Sequence, residues 1–145
     1  MTANELWEIF KKEERISGKE PFIWNFKEED DYKVELILKG RKRGDAYLKD
    51  TYEEIFGKGS QEGRYRIVVD SKGDARCIVK VTRPSEDKFI NARFAHAYLE
   101  GEGDRMLSSW RKTYQEKFSA ELEKKGKEFS NDVIVVCDEY ALAYK

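Results

Sequence analysis

The sequence predicts a single α+β domain, on three observations. Residues 64–82 hold two alternating β-branched runs around a glycine-containing loop, residues 104–125 repeat apolar side chains at helical spacing, and residues 133–144 close on a continuous apolar run. Helices on either side of a strand-rich middle give the α+β class. At 145 residues the chain is long enough to bury a core of its own without disulfides or metals. Its 39% charged content is high, but 3 Trp, 8 Tyr and 8 Phe supply apolar area that a disordered chain lacks.

Composition also bounds function. A net charge of −1 and a pI near 6.0 leave no broad basic surface for wrapping duplex nucleic acid, so any nucleic-acid site has to be local. Cys77 and Cys137 each sit in an apolar, β-branched run, where a thiol acts as a small core hydrophobe, and no disulfide is expected. Charges interrupt the first twelve residues and no run reaches transmembrane length, so the expected location is the cytoplasm, with no membrane partner.

Taken in order, Asn4 is placed to cap a first helix with Leu6, Trp7, Ile9 and Phe10 as its apolar stripe, stopped by Ser17-Gly18 and Pro21. Phe22, Ile23, Trp24 and Phe26 form an extended aromatic segment, read as a lid over the core. A second helix is expected over about 28–39, with Gly40 as its C-terminal cap. A short strand follows over about 44–49, and 50–59 is loop or a helical turn. Tyr65, Ile67 and Val69, then Cys77, Val79 and Val81, each line one strand face, and the Gly73 loop joins them as a hairpin. Asn91 is placed to cap a short helix with Phe94, Ala95 and Tyr98 facing inward. Asp104 is placed to cap a long one carrying Leu107, Trp110, Tyr114, Phe118 and Leu122, ended by Gly126. The C-terminal run reads as a central strand covered on both faces.

Two stretches carry chemistry. In Glu100-Gly-Glu-Gly-Asp104 the glycines free the backbone to present three carboxylates at one spot, and these repel one another unless something cationic answers them. Such carboxylates could ligate Mg²⁺ or Ca²⁺ through oxygen, but no EF-hand or two-metal spacing surrounds them, and no metal or cofactor is expected. Asp104 is better read as a helix cap, and Glu102, between two glycines, as the general acid or base if there is chemistry here. The other stretch is Lys39-Gly-Arg-Lys-Arg43. It is either a solvated charge run at a helix C-terminus or a phosphate-binding corner. Lys42 could also act as a base if burial lowers its pKa. The lone histidine, His96, reads as structural; no nucleophilic triad, P-loop, dinucleotide fingerprint or zinc spacing occurs.

The order of these residues resembles the ASCH domain family. The resemblance rests on Leu36-Ile-Leu-Lys-Gly40 with Lys42, on Val68-Val-Asp70 with Gly73, Cys77 and Ile78, and on Phe94-Ala95 with Glu100 to Asp104, Leu107, Trp110 and Arg111. It covers roughly residues 24–144, leaving 1–23 as an N-terminal helical extension. It implies a PUA-like mixed β-barrel of about five to six strands flanked by helices, with a ligand cleft between barrel and helices. Family members look like RNA-associated proteins, some ribonucleases and some hydrolases of N-acylated cytidine. The latter carry Gly-x-Lys-x-x-Thr and a downstream glutamate, which Gly40, Lys42 and Glu102 match. Asp45 replaces the threonine, and Tyr47 sits where similar members often have a small hydroxyl residue. A threonine hydroxyl donates and accepts, whereas an ionised aspartate only accepts, and Asp45 beside Lys42 would hold the ammonium charged.

The resemblance therefore implies an RNA- or nucleotide-binding protein with Gly40, Arg41, Lys42, Arg43 and Arg105 as ligand contacts and Tyr47 as a stacking ring. The alternative is a hydrolase, a ribonuclease or nucleoside amidohydrolase, with Lys42 and Glu102 catalytic and Asp45 or Tyr47 auxiliary. A third reading is an interaction scaffold without catalysis.

Overall fold

The computed structural model describes residues 1–16 and 18–145, so the expected Ser17 stop lies outside the described residues. The chain divides into two compact units, one of Met1–Arg43, Gln61–Arg83 and Tyr140–Lys145, the other of Gly44–Ser60 and Pro84–Glu139.

In the first unit, helix α1 (Ala3–Glu14) is capped by Thr2, whose hydroxyl accepts the Glu5 N–H at 3.1 Å, rather than by Asn4. Its Leu6, Trp7 and Phe10 pack with Ile67, Val69 and Ile78, while Ile9, also expected in the stripe, is half-buried. The aromatic segment expected to be a lid is instead strand β1 (Phe22–Asn25), paired in parallel with β3 (Tyr65–Val69). Trp24 and Phe26 pack with Val34 and Ile37 of helix α2 (Asp31–Leu38), and with Val68, Cys77, Val79 and Tyr140. Gly40, at φ 72°, closes α2 as predicted: the N–H groups of Gly40 and Arg41 donate to Ile37 O and Leu36 O, both at 3.0 Å. The hairpin also holds, β3 pairing antiparallel with β4 (Ala75–Lys88) through Ile67 and Ile78. Asp70 fastens its loop by accepting the N–H groups of Lys72 and Asp74, each at 3.0 Å. Strand β4 runs six residues past the expected Thr82 end, through a polar stretch with no alternation to mark it.

In the second unit, strand β2 (Gly44–Leu48) pairs antiparallel with β5 (Ile134–Tyr144), matching Asp45 with Asp138 and Tyr47 with Val136. The stretch expected as loop or a helical turn forms two turns of helix α3 (Lys49–Phe56). Helix α4 (Phe94–Glu100) buries Ala97 and Glu100, whereas Phe94, Ala95 and Tyr98, expected to face inward, are exposed. Asn91 donates to Asp87 at 2.8 Å from a 3-10 turn instead of capping α4. Helix α5 (Leu107–Lys124) buries Trp110, Tyr114 and Phe118 against Phe89, Ala97 and Val135. It starts three residues after Asp104, which ties the preceding turn by accepting Met106 N–H at 2.9 Å and the Ser109 hydroxyl at 2.7 Å.

Among the described residues there are five α-helices and one five-stranded mixed sheet, ordered β1-β3-β4-β5-β2, of which β4 and β5 belong to both units. β5 is thus an interior strand as expected, buried at Val135, Val136, Asp138 and Tyr140 and half-buried at Cys137 and Glu139. No helix among the described residues is long and apolar enough to cross a membrane.

Phe118 is wholly buried, its ring 5.2 Å from Tyr114 and 6.2 Å from Phe89. Phe118→Ala is expected to lower the unfolding free energy by about 3–5 kcal/mol, read from urea melts.

Candidate functional site

The second unit gathers carboxylates at one place. Glu100 ends α4; Gly101 and Gly103, at φ 71° and 59°, then turn the chain through the left-handed region that favours glycine, which brings Glu102 around. Gly44 lets β2 lie close: a Cβ there would meet Asp138 O at 3.2 Å and Leu99 Cβ at 3.6 Å. Asp45, the next residue, presents its carboxylate beside those of Glu100 and Glu102, with one oxygen from each within 4.8 Å of the others. Asp138, the cross-strand partner of Asp45, adds a buried carboxylate that accepts the Tyr52 hydroxyl at 2.8 Å.

Glu100 is only 8% exposed, and its two oxygens accept the Trp110 indole N–H at 2.8 Å and the Tyr114 hydroxyl at 2.5 Å. Charge-assisted bonds of this kind are what make a buried carboxylate tolerable. Burial first, then the negative charges of Glu100 and Asp45, raise the Tyr114 hydroxyl well above its ordinary range, so it stays protonated and donates. Burial, with Glu100 and Asp138 adding, likewise pushes the Cys137 thiol up to about 12, and burial alone does so for Cys77; both are free and unreactive at neutral pH.

A cavity of about 360 Å³ opens here, lined by Glu100, Glu102, Arg105, Trp110, Thr113 and Tyr114 among others. That is a volume suited to a small organic ligand. By oxygen chemistry the trio could also hold a divalent cation. Tyr47 is half-buried, its ring 5.5 Å from Tyr52 and 5.8 Å from Phe56, and the exposed Lys117 ammonium lies 6.0 Å from Tyr47 and 5.5 Å from Tyr114.

Of the sequence candidates, Asp45 and Glu102 thus come together, and Arg105 lines the cavity. Gly40, Arg41, Lys42 and Arg43 belong to the other unit. There the basic run is split: Arg41 and Arg43 are exposed, while Lys42 is 1% exposed with its N–H on Leu36 O at 3.1 Å, so it is no solvated charge. Glu100 as the buried anchor, and Trp110, Tyr114, Asp138 and Lys117 around it, were not singled out as site residues by sequence. The available signal was Trp110 and Tyr114 one turn apart, each with a polar tip that burial obliges to find an acceptor.

The ASCH domain family model matches residues 22–144. The chain belongs to the ASCH domain family. An ASCH domain from Lactobacillus crispatus JV V101 has a similar structure, with a TM-score of 0.82 at 24% identity over 99% of this chain and 94% of that one. A protein from Enterococcus faecalis V583 gives 0.79 at 20% identity over 98% and 88%. At these identities the likeness concerns the fold, and it agrees with the PUA-like α+β class expected of an ASCH domain. No curated protein matches the chain.

Two outcomes follow for this ASCH domain. Tyr114→Phe leaves a buried carboxylate short of a donor and is expected to cost about 1–3 kcal/mol of stability in urea melts. His96 accepts the Arg93 N–H through Nδ1 at 3.1 Å, and burial first, then the Arg93 charge, lowers its pKa below the ordinary 6.5. The unfolded chain then binds this proton more readily than the folded one, so His96's contribution is complete above pH 6.5 and is lost as pH falls below it. Urea midpoints are expected to drop from pH 7 to pH 5.5, and to drop less in His96→Gln; equal drops would contradict the assignment.

Proposed function

We propose that this ASCH domain binds RNA or a nucleotide, admitting the donor edge of one base to the carboxylates of Asp45, Glu100 and Glu102. The observation that carries this reading is the convergence of those three groups beside a nucleoside-sized cavity. Carboxylates accept from exocyclic amino groups such as cytosine N4, and repel phosphate. The phosphates are therefore left to cations: Arg105 lines the cavity, the exposed Arg41 and Arg43 are candidates by their charge, and the buried Lys42 is one only by its match to the family's Gly-x-Lys motif. Tyr47 remains the candidate ring for stacking on the base.

The hydrolase reading is favoured by one feature of the same trio. Glu100 is fixed by Trp110 and Tyr114, while Glu102 stands half-buried on a glycine-hinged turn beside Asp45, an arrangement suited to moving a proton. Lys42 would be its cation, and Asp45, in the threonine's place, would accept rather than donate.

The test is to incubate the protein with a short unstructured RNA and with free and N-acylated cytidine, at two salt concentrations and in EDTA, following binding and product together. Salt-sensitive RNA binding that persists in EDTA, with cytidine affinity falling about tenfold or more in Glu102→Gln and no product, is the expected result. Product that vanishes in both Lys42→Ala and Glu102→Ala would establish the hydrolase instead. Neither binding nor product would overturn both readings.

A further inference from the structure

The outer face of α4 carries two rings that the core does not use. Phe94 and Tyr98, one helical turn apart, are 55% and 43% exposed, with centroids 6.0 Å apart. Paired exposed aromatics at this spacing are an apolar patch for which the fold has no structural use. Beside them Arg105 lays its guanidinium 3.8 Å from the Tyr98 ring centroid, pinned there by Nε donating to Tyr98 O at 3.1 Å. Its backbone is held at φ 61°, a left-handed conformation uncommon for a residue with a side chain. Arg105 also lines the acidic cavity, so the aromatic face and the cavity share one residue. The exposed Arg93 precedes Phe94.

We infer that this face of α4 is a stacking platform for single-stranded RNA, receiving the bases that flank the one held at the carboxylates. The inference rests on the nucleotide-binding reading above and extends it from a single nucleotide to a strand. Every base has a π-face, and stacking on Phe94 or on the Arg105–Tyr98 sandwich requires no particular sequence. Charge complementarity selects this occupant. Arg93 and Arg105 flank the rings and answer the phosphates that accompany stacked bases, which an uncharged apolar peptide would not reward.

The platform predicts a split between ligands of different length. A single-stranded hexanucleotide with 2-aminopurine flanking a cytidine, and cytidine monophosphate alone, are titrated into wild type, Phe94→Ser, Tyr98→Ser and the double variant. Expected are 2-aminopurine quenching in wild type, a loss of hexanucleotide affinity of about 5- to 150-fold for each ring removed, and unchanged cytidine monophosphate affinity in Phe94→Ser. Because both side chains are exposed, serine is expected to leave the urea melts of these variants unchanged. If the double variant binds the hexanucleotide as wild type does, the platform is wrong while the nucleotide reading stands. If wild type binds neither ligand, both fall. Self-association that the double variant abolishes, with RNA affinity unaltered, would assign the face to a second copy of the chain and overturn the inference.

Discussion

The candidate site depends on keeping one carboxylate out of water. Burying the charge of Glu100 costs several kcal/mol unless strong donors replace the lost solvent, and Trp110 and Tyr114 supply them from successive turns of α5. The two bonds fix the end of α4 to the start of α5, and the glycine-hinged turn between the helices has little choice of path. That path places Glu102, and the close approach of Gly44 to Leu99 brings in Asp45 on β2. The same rings continue into the core through Phe89 and Phe118, so site and core share α5.

The resulting electrostatics select what can enter. Burial first, and then the negative charges beside them, Glu100 and Asp45 for Tyr114 and Glu100 and Asp138 for Cys137, keep the Tyr114 hydroxyl and the Cys137 thiol protonated. Under the proposed reading, a ligand that brings N–H donors meets acceptors here, and one that brings phosphate adds negative charge beside carboxylates. The nucleotide proposed above would therefore turn its base, and not its phosphate, to the trio. In that proposal the arginines, with guanidinium planes suited both to phosphate and to stacking, are the candidates for the anionic part of the ligand.

Much of the fold was legible because its signals are local. The β3–β4 alternation, the Trp110-Tyr114-Phe118 spacing and the Gly40 cap each follow from neighbouring residues. What escaped was set by tertiary pairing. Phe22–Asn25 became a strand because β3 offers it an edge, α3 took the helical one of the two alternatives that Gly57 and Gly59 left open, and Phe94 and Tyr98 turned outward although their spacing suits a core face. In the site, the glycine-flanked acidic turn marked Glu102. The role of Glu100 was hidden because its donors lie 10 and 14 residues downstream and read as plain core. Nor could the basic run reveal that Lys42 alone of its members would be buried.

The most direct test of where the ligand sits uses the indole N–H of Trp110, which is bonded to Glu100; Trp7 and Trp24 pack in the other unit. In a ¹⁵N–¹H spectrum the three indole signals can be assigned by single Trp→Phe variants and followed while cytidine monophosphate is added. The account predicts that the Trp110 signal shifts with saturation while those of Trp7 and Trp24 stay in place. A saturable shift at Trp7 or Trp24 with Trp110 unmoved would place the ligand elsewhere and contradict it.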